Sequence, residues 1–161
     1  MSANKYLPHI LILPEDDADR ELAVEFIVNV NNVNHRQIVI EPVARGWGRV
    51  CSIFVSDHID AMRNNKNRFM VLLLDFDGDH NRIQQVQKKI PADLADRVFI
   101  LGALTDPEDL KRQVPGSFDT IGKAMADDCQ NGTQTIWAHQ LLSHNQNELD
   151  RLRKDACSKL P

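Results

Sequence analysis

Four short apolar runs punctuate the chain, each closed by charged or turn-forming residues, with stretches of helical periodicity between them. Ile10-Leu11-Ile12-Leu13 is continuous rather than alternating, the pattern of a strand covered on both faces and so of a parallel sheet. Behind it, Leu22, Ala23, Phe26, Ile27 and Val30 share one helical face. Asp16 or Asp17 is placed to cap that helix, and the Asn-rich stretch from Asn29 to Asn34 to end it. Ile38-Val39-Ile40 reads as a second strand, leading into Arg45-Gly46-Trp47-Gly48-Arg49 and a helix from about Val50 to Met62. Phe69 to Leu74 is the strongest strand signal and runs into Asp75-Phe76-Asp77-Gly78-Asp79. Ile83, Val86 and Ile90 mark a helix stopped by Pro91, and Val98 to Leu101 is a fourth strand.

Strand and helix thus alternate four times. This predicts an α/β fold, a four-stranded and mainly parallel sheet with helices on both faces. The remainder reads as helical. Thr105-Asp106-Pro107-Glu108-Asp109 is a helix start with proline just inside the cap, and Phe118, Ile121, Ala124 and Met125 form a short stripe. A last helix is expected from about Thr135 to Ala156, with Trp137, Leu141, Leu149 and Leu152 inward. No linker or repeat divides the chain, so residues 1–161 read as one domain, a core of about 9–112 and a helical C-terminal extension of about 113–161.

Composition narrows the classes. The hydrophobic and charged fractions, 42% and 26%, are those of a globular protein. No apolar run approaches the roughly 20 residues of a membrane span. Three cysteines without metal-type spacing read as free thiols, and hence as a cytoplasmic protein. The net charge of −4 gives no overall basic excess, which counts against a protein that holds nucleic acid unaided.

The candidate chemistry comes from where the acids fall. In a parallel sheet all carboxyl ends point one way, and open α/β folds bind ligands along that rim. Glu15, Asp16 and Asp17 follow the first strand, Arg45 and Arg49 the second, and Asp75, Asp77 and Asp79 the third. Carboxylates brought together at about 4 Å repel by on the order of 4 kcal/mol per pair at an effective dielectric of 20. A hard divalent cation, Mg²⁺ or Mn²⁺, offsets that repulsion, and nearby arginines would hold a phosphate sharing the ion. In the Arg45–Arg49 loop, glycines permit close backbone approach and Trp47 is placed either to stack on a base or to pack on the core. Glu108 suits helix capping better than the rim, and His80 a loop better than a proton shuttle. His139 and His144, five apart, do not face one ligand on a helix.

Leu11-Ile12-Leu13-Pro14-Glu15-x-x-x-Asp19 resembles the first motif of Toprim domains, and Leu72-Leu73-Leu74-Asp75-Phe76-Asp77 the second. The resemblance covers about residues 9–112. It implies a Mg²⁺-dependent phosphodiesterase or nuclease acting on DNA or RNA, with Glu15 as ligand or general acid/base, Asp75 and Asp77 as ligands, and Asp79 as an auxiliary ligand. On the residues' own chemistry, Arg45, Arg49 and Trp47 are expected on the substrate side. Asp16 stands where the family usually has glycine, and Tyr6 precedes the first strand, so no topoisomerase tyrosine has a counterpart. The apt comparison is with small Toprim nucleases of the overcoming-lysogenization-defect and ribonuclease M5 type, which implies an ATPase partner. Ile12 to Asp19 also resembles the opening of a receiver domain, with Asp75 as phosphoacceptor and Thr105 and Lys123 as the switch residue and lysine. The alternative expectation is therefore a non-catalytic signalling or recruitment module.

Overall fold

A computed structural model of the chain describes residues 3–160. Its sheet has four parallel strands in the order β2-β1-β3-β4, with β1 at His9–Pro14, β2 at Ile38–Ile40, β3 at Arg68–Leu73 and β4 at Val98–Leu101. The unbroken apolar runs have a direct cause. Ile10 and Ile12 of β1 face one hydrophobic cluster and Leu11 and Leu13 the other, so every strand position meets a covered face.

On the first face lie α1 (Asp17–Asn29), α5 (Pro107–Gln113), α6 (Phe118–Asn131) and α7 (Gln146–Asp155). On the second lie α2 (Trp47–Ile53), α3 (Ile59–Asn64) and α4 (Asn81–Gln87). Helices α2 and α3 are joined by a π-helical turn, Phe54–His58, so the element expected from Val50 to Met62 starts earlier and is wound wider in its middle. Packing of α6 on α1 is close: a Cβ at Gly122 would lie 2.6 Å from the Cβ of Glu25. The strand exits are as tightly fitted. Gly102, at φ +156°, leaves no room for a Cβ, which would fall 1.7 Å from the Leu74 carbonyl oxygen.

The single C-terminal helix expected from Thr135 to Ala156 is instead a run of turns followed by α7. Competing hydrogen bonds explain the break. The backbone N–H groups of Ile136 and Trp137 donate to the buried Asp128 carboxylate, and the Leu141 carbonyl accepts from Leu104 N beyond β4. Side chains from this region also seal the outer edge of β4. Glu148 accepts from Ile100 N, Asn145 accepts from Gly102 N and donates to its carbonyl, and Arg151 donates to the Val98 carbonyl.

Candidate metal centre

The rim of the sheet is organised by backbone before any side chain is considered. Glu15 N donates to the Leu73 carbonyl at 2.9 Å, continuing the pairing of β1 with β3 one residue past the strand. Ala44 N and Arg45 N then donate to the carbonyls of Pro14 and Glu15. The loop after β3 is anchored on the far side, where Phe76 N and Gly78 N donate to the carbonyls of Ala103 and Leu104. Three loops therefore meet at Glu15, which ends the central strand.

Three carboxyl groups converge there. Oxygens of Glu15, Asp19 and Asp75 all lie within 4.8 Å of one another. The Glu15 side chain accepts from Asp75 N at 2.6 Å, fixing its direction across the β1–β3 boundary. Asp75 and Asp19 are 6% and 2% exposed. Asp19 is delivered by α1, whose cap is Asp16: that side chain accepts from Asp19 N at 3.0 Å and sets the first turn.

Two oxygens of this group, Asp19 Oδ2 and Asp75 Oδ1, are buried with no hydrogen-bond partner. Buried acceptors without donors are costly, more so when they carry charge. The electrostatics record the cost. Burial, then the neighbouring Asp75 and Asp16, hold the Asp19 carboxyl far above the usual carboxylate range. Burial, with the charges of Asp16 and Glu15, does the same to Asp75. Glu15 is raised too, again chiefly by burial, although the Asp75 N–H and the nearby Arg82 guanidinium pull the other way. A set of hard oxygens, mutually repelling and short of donors, fits a divalent cation. Glu15, Asp19 and Asp75 are the side chains that would hold it.

The other residues expected at the rim are placed differently. Asp77 and Asp79 are exposed. Asp77, at φ +50°, turns its carboxylate to Arg82 Nη1 at 3.1 Å, and Asp79 accepts from Asn81 N at 2.9 Å. Arg45 makes only a long pair with Asp17, 3.9 Å, at the solvent surface. Arg49 spends its Nε on the Ala44 carbonyl. Trp47 opens α2 and packs half-buried against the second cluster, beneath the guanidinium of Arg82 at 4.7 Å. Glu108 lies in the first turn of α5, where burial and the charges of Asp106 and Asp16 raise its carboxyl. His80 is exposed, and Lys123 sits exposed on α6 rather than on a strand.

Two residues of this site go beyond the sequence reading: Asp19, which closes the first motif there without a role of its own, and Arg82. Asp19 carried a legible signal: with Leu22, Ala23 and Phe26 it occupies the inward stripe of α1, and an acid on an apolar stripe needs a reason. Arg82 carried none, because only the turn at Asp77 and Gly78 brings it back to the rim.

No model of a known protein family matches the chain, and no curated protein does. A solved structure does match: the C-terminal region of the Burkholderia pseudomallei OLD protein, over 91% of this chain and 81% of that one, at 15% identity and a TM-score of 0.37. Among the described residues, no helix is long and apolar enough to cross a membrane.

Proposed function

We propose that the chain is a Mg²⁺-dependent Toprim-like phosphodiesterase acting on DNA or RNA in the cytoplasm, with Mn²⁺ as the substitute ion. The observation that carries this reading is the pair of buried, partnerless oxygens of Asp19 and Asp75 beside Glu15. When bound, the ion supplies positive charge to a phosphoryl oxygen and acidifies a water. The protein's part is to hold and to orient. Asp19 and Asp75, fixed by α1 and by the end of β3, provide rigid ligands that need no reorganisation. Glu15 is half-exposed and its carboxyl is raised, so it is suited to accept a proton from the attacking water and return it to the leaving oxygen. Arg45, with its fork at the surface, and Trp47 and Arg49 beside it, are proposed to meet the phosphate and a flanking base.

The net charge of −4 supplies little general attraction for a polyanion, which favours action beside a nucleic-acid-holding partner, with an ATPase as the proposed partner. One observation favours a second reading. Asp77 faces Arg82 instead of joining the three converged carboxyls, as in a metal-binding module that recruits a partner without cleaving.

Cleavage of single- and double-stranded DNA and RNA in Mg²⁺ or Mn²⁺ separates the two readings, with Asp75→Asn as the control. Metal-dependent cleavage lost in the variant supports the enzyme. Metal binding by calorimetry with no cleavage of any of the four substrates supports the recruiting module, and absence of metal binding overturns both.

A further inference from the structure

Arg82 is an unusual neighbour for a cation site. Its side chain is 13% exposed, and its guanidinium donates from Nη1 to the Asp75 carbonyl at 2.8 Å and to Asp77 Oδ2 at 3.1 Å and lies over the Trp47 ring at 4.7 Å. It therefore ties the loop after β3 to the start of α2, on either side of Glu15, and it is close enough to lower the Glu15 carboxyl. Asp77 sits at φ +50°, in the left-handed region that, among residues other than glycine, Asn and Asp enter most readily.

We infer that Arg82 is a positioning residue that acts as an internal counter-ion: it competes with the divalent cation for Asp77 and sets how tightly the site binds metal. This rests on the metal-site reading above. Arg82 lies close enough to act on Glu15, and it pairs with Asp77, a rim carboxylate that stands outside the converged three. A cation entering the group meets like-charge repulsion from the guanidinium, and it gains Asp77 only by taking it from Arg82. Stacking on Trp47 keeps the arginine in place when that exchange occurs, because the ring face holds a cation without a carboxylate. A purely structural Arg82, there to brace two loops, would make the opposite prediction for metal affinity.

The test is calorimetric titration of the full chain with MgCl₂ and MnCl₂, for wild type, Arg82→Gln, Asp77→Asn and the double variant. The counter-ion role predicts that Arg82→Gln tightens Mg²⁺ binding by about fivefold, the scale of a partly exposed ion pair together with the lost repulsion. It further predicts that Asp77→Asn weakens binding more in the Arg82→Gln background than in wild type. Arg82→Lys, which keeps the charge and cannot make the same stacked fork, should fall between wild type and Arg82→Gln. A second readout is tryptophan emission in a Trp137→Phe background, where Trp47 alone reports: Mg²⁺ should shift the emission when Arg82 is present and leave it unchanged in Arg82→Gln. Unchanged or weakened Mg²⁺ binding in Arg82→Gln, with wild type still binding, overturns the counter-ion role and leaves the metal site standing. Absence of binding in every variant overturns both, and binding gained only on removing Arg82 supports the role in its strongest form.

Discussion

Asp19 and Asp128 are equally buried, each 2% exposed, and they ionise in opposite directions. At Asp128, near the end of α6, burial works against the charge but is outweighed. The hydroxyls of Thr133 and Thr135 and the N–H groups of Ile136 and Trp137 all donate to it, which holds its carboxyl below the usual range. At Asp19 one oxygen has no partner, and the nearest polar groups are other carboxyls. Burial alone therefore does not mark a functional acid. The donors around it decide: a carboxylate ringed by donors is part of the scaffold, whereas one facing its own kind is waiting for a proton or a cation.

Four experiments bear on that contrast, in order of expected size. Asp128→Ala should lower stability by about 3 kcal/mol, since it strands two buried N–H groups and removes charge-assisted bonds. For a chain of this length that is a fall in Tm of about 10 °C, read by thermal unfolding. Mg²⁺ affinity should stay within about twofold of wild type, because an effect at that distance with no shared partner is close to additive. If Asp128→Ala abolished metal binding while folded, the division into scaffold and site would be wrong.

Next in size is the response to metal. Mg²⁺ at a hundredfold excess over its Kd should raise wild-type stability by about 2.7 kcal/mol, and Asp19→Asn should lose that gain. Without metal the same variant should be more stable than wild type at pH 8, because folding no longer has to put a proton on a carboxyl that the unfolded chain leaves ionised. A metal-free Asp19→Asn that unfolds below wild type at that pH would show the carboxylate to be structural after all.

The third is a pH profile. The raised carboxyls of Asp19 and Asp75 hold protons in the folded chain that the unfolded chain releases. Their stabilisation is complete below the ordinary carboxylate pKa and is lost as pH rises through the folded value, which for Asp75 is about 8. Between pH 5 and 8 the metal-free Tm should therefore fall, and Mg²⁺ should offset more of the loss at the higher pH. Asp128 has the opposite sign. Its contribution is present above the ordinary pKa and is lost only as pH drops through the depressed value, so it adds no slope in this window. A profile that is flat without metal would remove the proton-holding pair. The smallest effect is Thr135→Val, which deletes one of the donors to Asp128 and should cost about 1 kcal/mol in a denaturant titration, with no change in the metal response.

The same contrast explains what could be read from the chain itself. Strands covered on both faces show as unbroken apolar runs, so β1, β3 and β4 and the parallel sheet were legible, and with them the meeting of Glu15 and Asp75 at one rim. Asp19 was legible in principle, as an acid on the inward stripe of α1. The direction of Asp77 was not, because it depends on two consecutive positive-φ residues that turn the loop outward onto Arg82. Nor was the break in the C-terminal helix. Its residues have helical spacing, but Asp128 and Leu104 claim the backbone groups that a helix from Thr135 would need.

The sealed edge of β4 sets a limit on how molecules of this kind can aggregate. Glu148, Asn145 and Arg151 occupy the hydrogen-bonding groups that a fifth strand would use, so α7 acts as a terminator for sheet growth. A strand from another molecule finds its template consumed on that side. Loss of the chain from Asn145 onward would reopen a row of unpaired amides and carbonyls along an apolar strand, and turn a finished sheet into a seed for polymerisation.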